Sequence, residues 1–305
     1  MIGVYAVLLH GHTAAVLSPQ GTIAEQEKNL IIFTAILGCT IVVPVLVLTF
    51  AIAWHYREAN TKAVYKPDWS GNFLAEGIWW VIPTIVIGIL AVVIVQSSHA
   101  LDPYNSLASE VKPIRIQVVA LEWRWLFMYP DQKVASIDYM EFPVNTPINL
   151  TITSDAPMNS FWIPQLSGQV YAMNGMSTQL HLAARTIGDY RGSSANISGV
   201  GFAGMNFTAS AVSSRSFATW TNLLAHGSDI LTKGGYDDLA KKTCDNTPYA
   251  YSLADVSLYN EVISKYMDPH TPVPSPQSTD ATSVPTHCTS QTIPQKITKK
   301  FMGSN

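Results

Sequence analysis

Residues 30–54 read LIIFTAILGCTIVVPVLVLTFAIAW, from Leu30 to Trp54, about 25 successive positions without a charged side chain. At a helical rise of about 1.5 Å per residue such a run crosses a hydrocarbon core about 30 Å thick. A second run, GIWWVIPTIVIGILAVVIVQ from Gly77 to Gln96, adds about 20 more. A buried helix of a water-soluble core would carry polar residues at helical spacing on one face, and neither run does. Both runs therefore read as membrane-spanning helices. Pro44 and Pro83 are compatible with this, because neighbouring helices satisfy the backbone groups that a membrane proline frees.

The rest of the composition agrees. Only 13% of the 305 residues are charged, too few for a wholly water-soluble chain of this size. The net charge of −3 and the lack of a basic stripe give no footprint for nucleic acid. Between the two runs lie Arg57, Lys62 and Lys66, whereas only Lys28 precedes the first closely and no Lys or Arg follows the second before Lys112. That bias places the connecting loop in the cytoplasm and both ends of the hairpin outside, in the periplasm of a bacterial cell. Trp54, Tyr56, Trp69, Trp79 and Trp80 fall near the loop ends, where interfacial aromatics collect. The apolar stretch Ile2 to Leu9 lacks a basic flank, so residues 1–28 read as an N-terminal periplasmic segment or a signal remnant. His10 and His12 read as exposed polar residues rather than as a metal pair.

After the second run the periodicity changes from helical to alternating. Ile114, Ile116 and Val118 alternate with Arg115 and Gln117, and Ile148, Leu150 and Ile152 alternate with Asn149, Thr151 and Thr153. These are half-buried strands. Trp123 to Tyr129, Ser136 to Phe142, Thr178 to Ala183 and Met205 to Val212 are further strand candidates, separated by Gly, Pro, Ser and Asn clusters. Short strands at this spacing over residues 111–213 predict an all-β Greek-key sandwich or barrel. Phe217, Trp220, Leu223 and Leu224, followed by Leu253 to Met267, predict a C-terminal helical arm over 214–267. Beyond Asp268 the Pro, Ser and Thr content rises, so 268–305 reads as a disordered tail. Cys244 and Cys288 would be able to pair in an oxidising compartment, although they are far apart in sequence.

The stretch Tyr190 to Met205, YRGSSANISGVGFAGM, has the shape of a metal-binding loop without its ligands. It resembles the loop of cytochrome oxidase subunit II that carries a dinuclear copper centre, with pattern Cys-x-Glu-x-Cys-x-x-x-His-x-x-Met. Placed on that pattern, Ser194 and Ser198 stand for the cysteines, Asn196 for the glutamate and Phe202 for the histidine, while Met205 matches the methionine. A further histidine of that family precedes Ser-x-x-x-Pro, and here Asn159 precedes Ser160 to Pro164. Mixed-valence copper needs thiolate and imidazole, and hydroxyl, carboxamide and phenyl groups do not replace them.

The aromatic stretch Glu122 to Pro130, the Met158 to Pro164 segment, Tyr171 to Met176 and the Tyr190 to Met205 loop occur in the order and spacing of subunit II of bo-type ubiquinol oxidases. The resemblance covers about residues 17 to 265. It implies a two-helix transmembrane hairpin over 29–100, with spans at about 30–54 and 77–97 and a cytoplasmic loop at 55–72, carrying a periplasmic cupredoxin-like domain. It also implies an inner-membrane location and a complex that oxidises ubiquinol, reduces dioxygen and moves protons. In that complex the haems and copper belong to subunit I, subunits III and IV are further partners, and this chain holds no cofactor, because a quinol reaches the complex through the bilayer without a soluble electron relay.

Glu76, at the start of the second run, matches a family glutamate beside the mouth of a proton channel. Without the resemblance it reads as a hydrated glutamate favoured by a helix N-terminus. Trp123 and Trp125 match the neighbourhood through which copper-bearing relatives accept electrons. With no metal to receive the electron, Trp123, Trp125, Phe127 and Tyr129 read as packing residues, and Met158, Met173, Met176 and Met205 read as core and interface filling rather than as a methionine copper site. Two other readings stay open: a membrane-anchored cupredoxin-like binding or assembly module outside an oxidase, and a copper-bearing cytochrome c oxidase subunit II.

Overall fold

The computed structural model describes residues 14–64, 71–241, 247–267 and 271. The chain divides into a helical hairpin, residues 26–102, and a second unit that holds the preceding segment and everything from Pro103 onward.

In the hairpin, α1 (Thr22–His55) and α2 (Phe73–Ala100) are long and apolar enough to cross a membrane. Each contains its proline. Among the described residues, side chains such as Phe50, at 70% exposure, and Ile87, at 65%, are left largely uncovered. A water-soluble protein does not leave so continuous an apolar surface exposed, so lipid or partner helices must cover it. Asn72 caps α2, its side chain accepting from the Leu74 and Ala75 amides at 3.0 and 3.2 Å.

The second unit is a β-sandwich. Its strands are β1 (Ile114–Leu121), β2 (Arg124–Tyr129), β3 (Val134–Ile137), β4 (Tyr139–Pro143), β5 (Ile148–Ser154), β6 (Asn159–Trp162), β7 (Val170–Ala172), β8 (Thr178–Leu182), β9 (Gly188–Ser194) and β10 (Asn206–Val212). There follow α3 (Ser214–Ala225), β11 (Ile230–Leu231), α4 (Lys233–Leu239), β12 (Tyr249–Leu253) and α5 (Leu258–Lys265). One sheet runs β11-β12-β3-β2-β1-β5-β8 and the other β4-β10-β9-β6-β7. Both are mixed, with β1 parallel to β5 and β4 parallel to β10.

Several sequence expectations change in detail. The single strand expected over Ser136 to Phe142 is two strands in different sheets. The chain turns between them at Asp138, whose φ is 53° and whose carboxylate accepts the Trp125 amide at 2.8 Å. Trp123 lies outside β2, at φ 64°, in the tight turn from β1. The arm is not purely helical: β11 and β12 extend the larger sheet, and Leu253 ends a strand rather than starting a helix. Burial explains why alternation was weak there. Val119, Leu121, Leu126, Met128 and Ile137 face away from the sandwich core, yet Leu231, Tyr236, Leu258, Tyr259 and Val262 of the arm cover them. With both faces apolar, the second half of β1 and the whole of β2 carry no period-two signal.

One buried carboxylate fastens the arm. Asp155, its side chain 1% exposed, accepts from the Tyr236 hydroxyl at 2.6 Å, from Lys265 Nζ at 2.7 Å and from the Tyr266 hydroxyl. At the opposite end of the chain the segment before α1 and the first turn of that helix are tied to the same sandwich. The Gln20 and Gly21 amides donate to the Gln165 carbonyl at 2.8 and 3.0 Å, and Glu25 pairs with Arg185. Gly21 allows this approach, since a Cβ there would fall 2.4 Å from the Leu166 carbonyl oxygen.

Candidate functional site

The loop between β9 and β10 brings together most of the positions singled out by sequence. Ser194 ends β9 and pairs with Phe161 of β6, which also supplies Asn159. The Ser194 hydroxyl donates to Asn159 Oδ1 at 2.9 Å, and Asn159 Nδ2 donates to the Pro157 carbonyl at 2.6 Å. Asn196 Nδ2 donates to the Met158 carbonyl at 2.8 Å. The loop backbone closes on itself, with the Ser194 amide donating to the Met205 carbonyl at 3.1 Å and the Met205 amide to the Phe202 carbonyl at 3.0 Å. Asn159 is fully buried and Ser194 nearly so. Ser198 is buried as well, and its hydroxyl has no protein partner.

Trp123 covers the loop. Its indole Nε1 lies 3.4 Å from the Ser198 carbonyl, which accepts its proton. A Cβ on Gly201 would fall 2.2 Å from the Trp123 ring, so only glycine permits the contact. Gly199, at φ 127°, lies in the left-handed region that glycine tolerates. On the core side, Trp125, Phe127, Phe161 and Phe207 interlock, and a Cβ on Gly192 would lie 2.0 Å from the Phe207 ring. The packing role expected of Trp123, Trp125, Phe127 and Tyr129 is what the burial shows. Met205 is buried with them, but Met158 and Met176 are 42% and 53% exposed and fill no core. For these two the core half of the expectation does not hold, and filling an interface with a partner is the half that stays open to them.

The donor set does not fit a dinuclear copper centre. Asn159, Ser194 and Asn196 present neutral oxygens and amide N–H groups already engaged with one another or with the backbone. Phe202 contributes only its backbone, accepting the Met205 amide. One thioether remains, and it cannot replace two bridging thiolates and two imidazoles. Among the described residues no three His, Cys, Asp or Glu side chains gather as a metal site. Cys39 lies exposed along α1, while Cys244, Cys288, His10 and His12 fall outside the described residues.

Glu76 belongs to the hairpin, apart from this loop. It lies in the first turn of α2, exposed, with its amide donating to the Asn72 carbonyl at 2.9 Å. Its carboxylate curls back over Gly71, where a Cβ would lie 2.8 Å from Oε1.

Known proteins similar to this chain show its family. Cytochrome bo(3) ubiquinol oxidase subunit 2 of Pseudomonas putida is 44% identical over 260 residues, 85% of this chain and 83% of that protein. Ubiquinol oxidase subunit 2 of Acetobacter aceti is 41% identical over 263 residues, covering 86% and 85% of the two chains. The chain belongs to the ubiquinol oxidase subunit 2 family. The family model named COX Aromatic Rich Motif matches residues 226–270, the stretch that holds β11, α4, β12 and α5. The periplasmic domain of cytochrome oxidase subunit II from Bradyrhizobium japonicum is similar at a TM-score of 0.36 and 21% identity, over 38% of this chain and 95% of that one.

Sequence reading passed over two buried acids, Asp155 of the clasp and Glu141 of β4. Glu141 is 7% exposed and takes a hydrogen bond of 2.7 Å from the Tyr139 hydroxyl. Burial, more than the charge of nearby Asp189, pushes its carboxyl up to about 7. The available signal was a lone acid within an otherwise apolar strand, Tyr139 to Pro143.

Proposed function

We propose that this chain is the copper-free subunit II of a proton-translocating ubiquinol oxidase. Its α1–α2 hairpin lies in the bacterial inner membrane, with the Arg57–Lys62 loop cytoplasmic and the β-sandwich periplasmic. It packs against a haem-bearing subunit I, beside subunits III and IV, and transfers no electron itself. Haem and copper chemistry and ubiquinol oxidation belong to the assembled complex. The observation that carries this reading is the Ser194–Asn159 hydrogen bond: side chains at the copper-ligand positions satisfy one another and leave no soft donor pair. Family membership supports the assembly with subunit I. Affinity purification of the tagged chain from detergent-solubilised membranes tests it. A haem-bearing large subunit should co-purify with quinol oxidase activity, and recovery of the chain without haem would favour a free-standing binding module.

Glu76 is the one residue of this chain assigned to the chemistry of the complex, as a collector of protons at a channel mouth. Its exposure and its place in the first turn of α2, on the side of the Arg57–Lys62 loop, support this role. Glu76→Ala should slow proton uptake and turnover of the complex in proteoliposomes, with Glu76→Asp recovering part of the rate. Unchanged turnover and pumping in Glu76→Ala would leave the carboxylate as a helix N-terminal charge only.

A further inference from the structure

The smaller sheet carries a carboxyl pair outside the loop site. β10 lies between β4 and β9, and the register sets Ser210 beside both Glu141 and Asp189. All three point away from the sandwich core, since their neighbours Met140, Phe142, Ala209, Ala211 and Tyr190 point into it. The Ser210 hydroxyl donates to Asp189 Oδ1 at 2.6 Å, so its only proton is directed to one acid and not to the other. Glu141 receives the Tyr139 hydroxyl, and its backbone is pinned by Tyr129, whose hydroxyl donates to the Glu141 carbonyl at 2.9 Å and accepts its amide at 3.0 Å. Tyr139 and Tyr129 both pack against Trp220 of α3.

No described ion pair involves Glu141 or Asp189. On β9, Arg191 faces the same side but donates to Asn206 Oδ1 at 3.0 Å. On α3, Arg215 is exposed in the first turn. On β4, Tyr139 keeps its proton, because burial and the adjacent Glu141 both raise it far above the usual phenol value. A carboxylate enclosed in this way, with an acid across β10 and no cation paired with it among the described residues, is relieved most directly by taking up a proton.

We propose that Glu141, backed by Asp189, is a proton-binding site of the β-domain, filled in mildly acidic medium and emptied in mildly alkaline medium. Emptying it sets two carboxylates against each other beside the Tyr139–Trp220 contact and loosens α3. The chemistry stands independently of the oxidase reading, which adds only that this face lies on the side receiving translocated protons.

The test is a difference infrared titration of the full chain in detergent, following the carboxylic C=O stretch between about pH 5.5 and 8.5. One carboxyl should titrate near neutrality, vanish in Glu141→Gln, and move to lower pH in Asp189→Asn, a change at an exposed side chain. Amide exchange in α3 should quicken above the midpoint in the wild type and lose that pH step in Glu141→Gln. A titration with no carboxyl removed by Glu141→Gln overturns the proposal, as does a midpoint that Asp189→Asn leaves in place. Neither result depends on oxidase activity, so failure here is distinguishable from failure of the functional reading.

Discussion

Beside the Ser194–Asn206 turn two regions meet that are built by different means. On the core side Trp125, Phe127, Phe161 and Phe207 pack with ring centroids 4.9 to 6.2 Å apart and no exposure to solvent. Around the loop, Asn159, Ser194 and Asn196 are held by neutral hydrogen bonds of 2.6 to 3.3 Å. Aromatic burial is worth several kcal/mol per side chain, whereas each neutral hydrogen bond adds about 1 kcal/mol net. The shape of the loop therefore depends mainly on the aromatic layer and on the glycines that touch it. That is why the ligand positions tolerate hydroxyls and carboxamides, which satisfy one another, while the fold around them stays closed.

The largest effect should come from the aromatic side. Phe207→Ala should cost about 3–5 kcal/mol in chemical unfolding of the domain and increase protease sensitivity of residues 195–205. A loss below about 1 kcal/mol would mean that the loop carries its own stability.

The second contrast is with pH. The loop network has no group that ionises near neutrality, so a pH dependence there must arise elsewhere in the unit. Glu141 supplies it: its value in the folded chain, about 7, lies above the ordinary 4.5, so the folded state gains relative to the unfolded chain when this group is protonated. Its contribution is most favourable below pH 4.5, declines as pH rises towards 7 and levels off above it. The span is up to about 3 kcal/mol, and Glu141→Gln should flatten it in unfolding curves taken across this window.

Smallest is the loop itself. Ser194→Ala leaves the buried Asn159 Oδ1 without its donor and should cost about 1–2 kcal/mol, with quinol oxidase activity of the complex retained. Activity lost with the fold intact would show that the loop does more than close the surface.

What the sequence revealed follows the same division. The two spans were legible because a membrane demands unbroken apolar length, and β1 and β5 because their inner halves alternate. The ligand positions were legible only through the resemblance of residues 190–205 to a copper-binding loop of known pattern. β6, β7 and β9 escaped notice: β6 and β7 are only four and three residues long, and β9 runs through Gly188, Gly192 and Ser194, residues that normally punctuate turns. Gly192 is there because Phe207 occupies the space its side chain would need, a reason visible only once the two strands pair. The clasp at Asp155 was equally hidden, since it joins residues 81 to 111 positions apart.

Metal analysis with electron paramagnetic resonance of the full chain, purified apart from subunit I and exposed to copper under reducing then oxidising conditions, tests the central claim most directly. The account predicts no stoichiometric copper and no mixed-valence signal after desalting. Two coppers per chain with a delocalised mixed-valence spectrum would contradict it.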